Sequence, residues 1–253
     1  MKIVRGKVIG IGVGPGDPDL ITVKAAKTLA VVDVICVPKA TTDTNSTALT
    51  MIMPILRERK KPPEILDLVF PMTKDEPALK RAWVANAKVV AGRANKGEMV
   101  AFITLGDPMF YSTFIYLCQN IRSMFPEIDL EIIPGVTSLT ACAATCLLPL
   151  AEQDEAVVII PYTFDSVHVG EIAKHANNLV FMKGAPELKD MFEVLEKSGF
   201  TEDSTVALIQ RCTMPGEKVI VGKLGDVKNW KVKDDYFSMT IIKKTKFNGE
   251  CKK

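Results

Sequence analysis

The 253-residue chain carries 32 Lys and Arg against 30 Asp and Glu, a formal charge of +2, and 47% of its residues are hydrophobic. That balance excludes fibrous and disordered classes, and it excludes a protein whose main work is coating nucleic acid, which would show a strong basic excess. At about 150 residues per domain, the length allows one large domain or two compact ones.

The N-terminal segment from Met1 to Lys7 is positively charged but reaches Gly10, Gly12 and Gly14 before any apolar stretch forms, so no signal peptide is expected. The longest apolar runs, such as Leu29 to Val37, are broken by Asp33 and fall well short of the roughly 18 residues of a membrane span. A soluble, cytoplasmic protein with neither a membrane nor a nucleic-acid partner is expected.

Strand-like runs rich in Val and Ile recur at Lys7 to Val13, Val32 to Val37, Ile65 to Val69, Met99 to Leu105 and Leu130 to Ile133. Between most of them lies helical spacing, at Leu20 to Ala30, Ala78 to Ala94 and Phe110 to Met124. Strands alternating with helices predict an α/β fold with a parallel, doubly wound sheet. A helix-like stretch from Thr137 to Leu147 and the polar segment Glu152 to Glu155 precede a second set of strands, at Ala156 to Ile160, Leu179 to Met182, Thr205 to Ile209, Lys218 to Val221 and Phe237 to Ile242. One further helix is expected at Glu187 to Lys197. The last strands follow too closely for helical crossovers, which predicts antiparallel pairs in a second, mixed sheet. The expected division is residues 1–135, a five-stranded parallel α/β domain bearing a glycine loop, and residues 136–253, an α/β domain with the mixed sheet. The lysine-rich tail from Lys243 to Lys253 is expected to fray.

The six cysteines (Cys36, Cys118, Cys142, Cys146, Cys212, Cys251) form no CxxC pair, and His168 and His175 are the only histidines, so no metal site is expected. Cys142 and Cys146 are four apart among small apolar neighbours and read as core filler, whereas the two histidines read as parts of a solvated helix.

The first strand runs into Gly10-Ile-Gly12-Val-Gly14-Pro15-Gly16-Asp17-Pro18, where a doubly wound fold places its ligand loop. A dinucleotide fingerprint fails in every register, because Pro15, Asp17 or Asp19 takes the third glycine position. The second strand ends in Val37-Pro38-Lys39, where a ribose would require an acid, and Pro15 and Pro18 remove two amide donors. The loop therefore reads as a rigid turn that brings main chain and Asp17 close to something bulky. After the fourth strand, Thr104-Leu105-Gly106-Asp107-Pro108 offers a close approach at Gly106, with Asp107 and Pro108 in the positions of a helix cap and first helical residue. After the fifth, Ile133-Pro134-Gly135-Val136-Thr137-Ser138 supplies small residues and two hydroxyls. Three such turns at one sheet edge define a crevice.

At these residues the chain resembles the tetrapyrrole (corrin and porphyrin) methyltransferases. The similarity spans nearly its whole length and rests on the GxGPGD loop with Leu20-Ile21-Thr22, the Gly106-Asp107-Pro108 turn, Pro134 to Ser138, and Val180-Phe181-Met182-Lys183-Gly184. Within that family it looks like the enzymes that methylate C20 of precorrin-2 or cobalt-factor II, since Leu105-Gly106 stands where relatives acting elsewhere carry two glycines. The resemblance implies S-adenosylmethionine as methyl donor, a cofactor cleft between two α/β domains, a tetrapyrrole partner and a homodimer. Carried over by motif, it implies donor contacts at Pro15, Leu105, Gly106, Asp107, Phe110, Thr137, Ser138, Met182 and Cys212, the last in place of a glycine common in relatives. Gly14, Gly16, Asp17, Tyr111 and Lys183 fall on the substrate side. Asp17 and Asp107 are the candidate bases for the proton that leaves C20, and Lys39, Lys74, Arg81, Lys183 and Arg211 are candidates for a basic rim facing the eight substrate carboxylates. The alternatives are methylation at another position, as on uroporphyrinogen III in siroheme synthesis, a nicotinamide-dependent reductase, and a noncatalytic tetrapyrrole carrier.

Overall fold

The computed structural model describes residues 6–41, 45–161, 166–182, 191–233 and 235–246. The chain divides into two compact units, Met1–Thr137 and Ser138–Lys253. Among the described residues, no helix is long and apolar enough to cross a membrane.

The first unit alternates strand and helix as β1 (Lys7–Gly12), α1 (Val23–Leu29), β2 (Val34–Lys39), α2 (Thr47–Arg57), β3 (Glu64–Val69), α3 (Glu76–Ala94), β4 (Met99–Thr104), α4 (Phe114–Met124) and β5 (Asp129–Ile133). All five strands run parallel, in the order β3-β2-β4-β1-β5. Because successive strand residues face opposite sides, Val8, Val34, Cys36 and Phe102 enter one core with α3 and α4, while Ile9, Ile11, Ile35, Ala101 and Ile103 enter another with α1 and α2. Phe102 is fully buried, with Phe70 edge-on at 6.0 Å and Phe114 at 5.4 Å. Burial of each such side chain contributes about 1.5–3 kcal/mol. A side chain at Gly10 would begin 2.3 Å from the Phe114 ring, so glycine in β1 lets α4 lie against the sheet. Helix starts are fixed by Thr22, Ser46 and Asp75, each accepting a main-chain N–H from the first turn. At the opposite end of α1, the Arg59 guanidinium donates to the carbonyls of Leu29 (2.6 Å) and Val32 (2.8 Å).

Helix α2 was not anticipated. Pro54 lies inside it, and a proline in a helix interior removes a hydrogen bond and costs about 3 kcal/mol in isolation. Packing of Ala48, Met51 and Ile52 in the α1/α2 core outweighs that cost. The helix expected from Phe110 begins only at Phe114, because residues 105–113 form an extended turn with other duties.

The second unit contains α5 (Ser138–Cys146), β6 (Val157–Pro161), α6 (Ser166–Lys174), β7 (Asn178–Met182), α7 (Phe192–Glu196), β8 (Ser204–Gln210), β9 (Lys218–Lys223) and β10 (Ser238–Lys246). Its sheet has the order β6-β7-β10-β8-β9, with β6 and β7 parallel and every other pair antiparallel, the mixed sheet the short connections predict. His168 lies exposed on α6 and His175 exposed just beyond it. Of the helix expected over 187–197, the described part is α7, while residues 183–190 lie outside the described residues. The expectation of a frayed tail is corrected for residues 243–246, which continue β10, whereas residues 247–253 lie outside the described residues. Lys243, 1% exposed, donates to the Pro149 carbonyl (2.8 Å) and pairs with Glu155 (3.3 Å). Asn178 donates to Leu150 O (2.8 Å) and to the same Glu155 carboxylate (2.9 Å), so a buried cation and an amide together anchor the connection from α5 to β6. Those donors hold the Glu155 carboxyl below its ordinary range, the Asn178 bond foremost.

Candidate active site

Parallel strands end on one edge, so the turns after β1, β4 and β5 are neighbours by topology. They are then locked together by main chain. Val13 N–H donates to Thr104 O (3.0 Å) and Gly106 N–H to Gly14 O (2.8 Å), extending the pairing past the strand ends. A Cβ at Gly12 would lie 2.5 Å from Gly106 O and 2.6 Å from Gly135 N, and one at Gly135 would lie 2.1 Å from Gly106 O. No side chain fits between these three glycines. Gly14 (φ 82°) and Gly106 (φ 64°) also take the left-handed conformation that glycine adopts without strain.

Asp107 does not cap a helix. Its Oδ1 accepts the Met109 N–H (2.8 Å) and its Oδ2 accepts the Gly135 N–H (3.0 Å), so one carboxylate ties the β4 turn to the β5 turn. The far end of the β4 turn is closed by Ser112, whose hydroxyl donates to Thr104 Oγ1 (3.0 Å) and accepts the Phe114 N–H (3.2 Å). This hydroxyl pair, eight residues apart, was missed in the sequence, where no local spacing joins Ser112 to Thr104. Between the two fastenings, Phe110 is half-buried and Tyr111 is 54% exposed, their rings edge to face at 4.8 Å. Tyr111 holds φ 49°, a left-handed conformation costly for a bulky side chain. In the β1 turn Pro15 is buried, Gly16 half-buried and Asp17 exposed, with Asp17 Oδ1 accepting the Asp19 N–H (2.9 Å) at the start of a 3-10 turn. Leu105, Thr137 and Ser138 are half-buried.

In the second unit Met182 ends β7, and Lys183 lies outside the described residues. Cys212 follows β8 between Arg211 (φ 52°) and Thr213 (φ 59°) and is 7% exposed, its sulfur 3.5 Å from Thr145 Oγ1 on α5. A hydrogen bond with Cys212, together with burial, pushes the Cys142 thiol up. Cys142 and Cys146 are both buried on α5. Of the residues expected at a basic rim, Lys39 bonds Asp67 (2.6 Å) and Arg211 bonds Asp235 (2.6 Å), while Lys74 and Arg81 are exposed.

Residues 7–228 match the tetrapyrrole (corrin/porphyrin) methylases. The chain belongs to the tetrapyrrole methylase family. It is 36% identical over 246 residues, 97% of this chain and 99% of the relative, to a probable cobalt-precorrin-2 C(20)-methyltransferase of Methanocaldococcus jannaschii. It is 32% identical to the cobalt-precorrin-2 C(20)-methyltransferase of Salmonella typhimurium, over 95% of this chain and 98% of that one. Among solved structures, the fold matches a uroporphyrin-III C-methyltransferase of Thermus thermophilus in complex with S-adenosylhomocysteine, with a TM-score of 0.66, 21% identity and coverage of 94% and 97%. Enzymes of this methylase family use S-adenosylmethionine. In this member glycine at positions 12 and 135 lets the three turns close main chain against main chain, a rigid edge that fits a donor held by backbone groups.

Proposed function

We propose that this chain transfers a methyl group from S-adenosylmethionine to C20 of precorrin-2 or cobalt-factor II in cobalamin biosynthesis. The observation that carries the proposal is similarity over nearly the full chain to relatives named for that C20 methylation. Leu105-Gly106 in the β4 turn supports the same position.

When bound, S-adenosylmethionine supplies an electrophilic methyl group. The chain contributes position more than chemistry, because an electron-rich ring carbon needs no covalent enzyme intermediate. Holding two reactants in line lowers the barrier by up to about 7–11 kcal/mol in the best intramolecular comparisons. On this reading Gly106, Leu105 and Phe110 hold the donor with Pro15, Thr137 and Ser138, and Asp107 keeps their turns in register. Met182 and the main chain at Cys212 are the proposed donor contacts of the second unit. Gly14, Gly16, Asp17, Tyr111 and Lys183 are assigned to the substrate. Asp17 and Asp107 are the carboxylates proposed to receive the C20 proton. A cytoplasmic homodimer is proposed as the working form.

Anaerobic incubation with labelled S-adenosylmethionine and, in parallel, precorrin-2, cobalt-factor II and uroporphyrinogen III tests the reading, with the product located by mass spectrometry and NMR. Methyl at C20 of either of the first two is expected. Methyl on uroporphyrinogen III alone overturns the C20 assignment.

A further inference from the structure

The β4 turn spends conformational energy on a residue that adds little to the core. Tyr111 is left-handed at φ 49° yet 54% exposed, so its ring does not repay the strain by burial. The turn gives it no freedom to relax. Before it, Asp107 fastens Met109 and Gly135, and Phe110 N–H donates to Asp107 O (3.3 Å); after it, Ser112 is fastened to Thr104 and Phe114. Strain persists where the surroundings over-determine it, and such outliers cluster at ligand clamps. Two residues earlier in the same turn Met109 is also exposed, at 51%, and the rings of Phe110 and Tyr111 meet edge to face. An exposed aromatic ring and an exposed polarizable thioether in one fastened turn at a sheet edge suit a flat apolar partner more than a carboxylate.

Resting on the methyl-transfer reading above, we propose that Tyr111, together with Met109 of the same turn, is the specificity contact for the ring face of the tetrapyrrole, separate from donor binding and from the groups that meet the carboxylates. The aromatic ring, not the phenol hydroxyl, makes the contact. Tyr111 acts on substrate affinity and on the choice among tetrapyrroles, leaving the chemical step to other groups.

The test compares wild type with Tyr111→Asn, which tolerates the left-handed backbone but removes the ring, and with Tyr111→Phe, which keeps the ring. Expected for Tyr111→Asn are a KM for the C20 substrate at least tenfold higher, kcat within threefold, unchanged S-adenosylhomocysteine affinity by calorimetry, and a Tm equal to or above wild type. Tyr111→Phe restores KM to within threefold. An unchanged KM in Tyr111→Asn overturns the proposal, as does a fall in Tm with loss of S-adenosylhomocysteine binding, which marks a merely structural role. Failure of wild type to methylate any tetrapyrrole overturns the methyl-transfer reading instead. In that case equilibrium binding of precorrin-2, followed by absorbance, still decides whether the ring of Tyr111 holds a macrocycle.

Discussion

Replacing Asp107 by alanine removes a carboxylate that accepts two main-chain N–H groups, from Met109 at 2.8 Å and Gly135 at 3.0 Å. Hydrogen bonds to charged groups contribute about 1.5–3 kcal/mol each, and because Asp107 is half-buried the lower end applies, giving about 3 kcal/mol for the pair. For a domain of this size each kcal/mol shifts Tm by about 2–4 °C, so Asp107→Ala should melt about 6–12 °C lower by calorimetry. Asp107→Asn keeps one acceptor and turns an amide NH2 toward the other N–H, so it should lose at least half as much. With the β4 and β5 turns no longer tied, S-adenosylhomocysteine affinity should fall at least about tenfold, or 1.4 kcal/mol. A Tm within about 1 °C of wild type together with unchanged affinity would refute the latch. Unchanged Tm and affinity with a kcat lowered about 100-fold would make Asp107 the base instead.

Gly135→Ala places a Cβ 2.1 Å from Gly106 O, a main-chain atom that cannot step aside, and should cost about 3 kcal/mol or prevent soluble expression. In contrast, Gly92→Ala, with open space around an exposed position in α3, should raise Tm through a helix-propensity gain of about 0.5–1 kcal/mol. Burial pushes the Cys36 thiol up to about 12 from 9.0. The unfolded chain therefore releases this proton first as pH rises, and the Cys36 contribution to stability, intact below pH 9, should be lost by about 1.4 kcal/mol per unit toward pH 12 in denaturant titrations, a loss absent in Cys36→Ala. Lys243→Met leaves Glu155 without its buried cation and should destabilise the second unit by roughly 2–3 kcal/mol, measured by urea unfolding, the range set below that of a fully enclosed pair because Glu155 retains some exposure.

The three turns were legible because glycine and proline leave few conformations open, and their register against β1, β4 and β5 followed from alternating strands and helices. Asp107 illustrates the limit. Its position before Pro108 reads as a helix cap, and only the fold, by bringing Gly135 28 residues onward within reach, turns the same carboxylate into a tie between turns. Pro54 hid α2 for a similar reason, since local propensity opposed a helix that tertiary packing enforces. The run of lysines near the C-terminus suggested solvent, yet Lys243 is buried because a distant carbonyl at Pro149 and the carboxylate of Glu155 satisfy its charge. In each case the deciding partner lies far away in sequence.

The strand order has a kinetic consequence. β1 sits between β4 and β5, so on leaving the ribosome it is without either neighbour until Met99 to Thr104 and then Asp129 to Ile133 have been made. From Lys7 to Met99 is 99 − 7 = 92 residues. At about 5–20 residues per second, an apolar strand with five of its six residues destined for burial waits about 5–20 s with its hydrogen-bonding edges open. The glycine contacts between the three turns close later still, once Gly135 emerges. Translation speed over this stretch therefore sets how long the nascent chain is open to misassociation, and slowing elongation between Lys7 and Met99 lengthens that window in direct proportion.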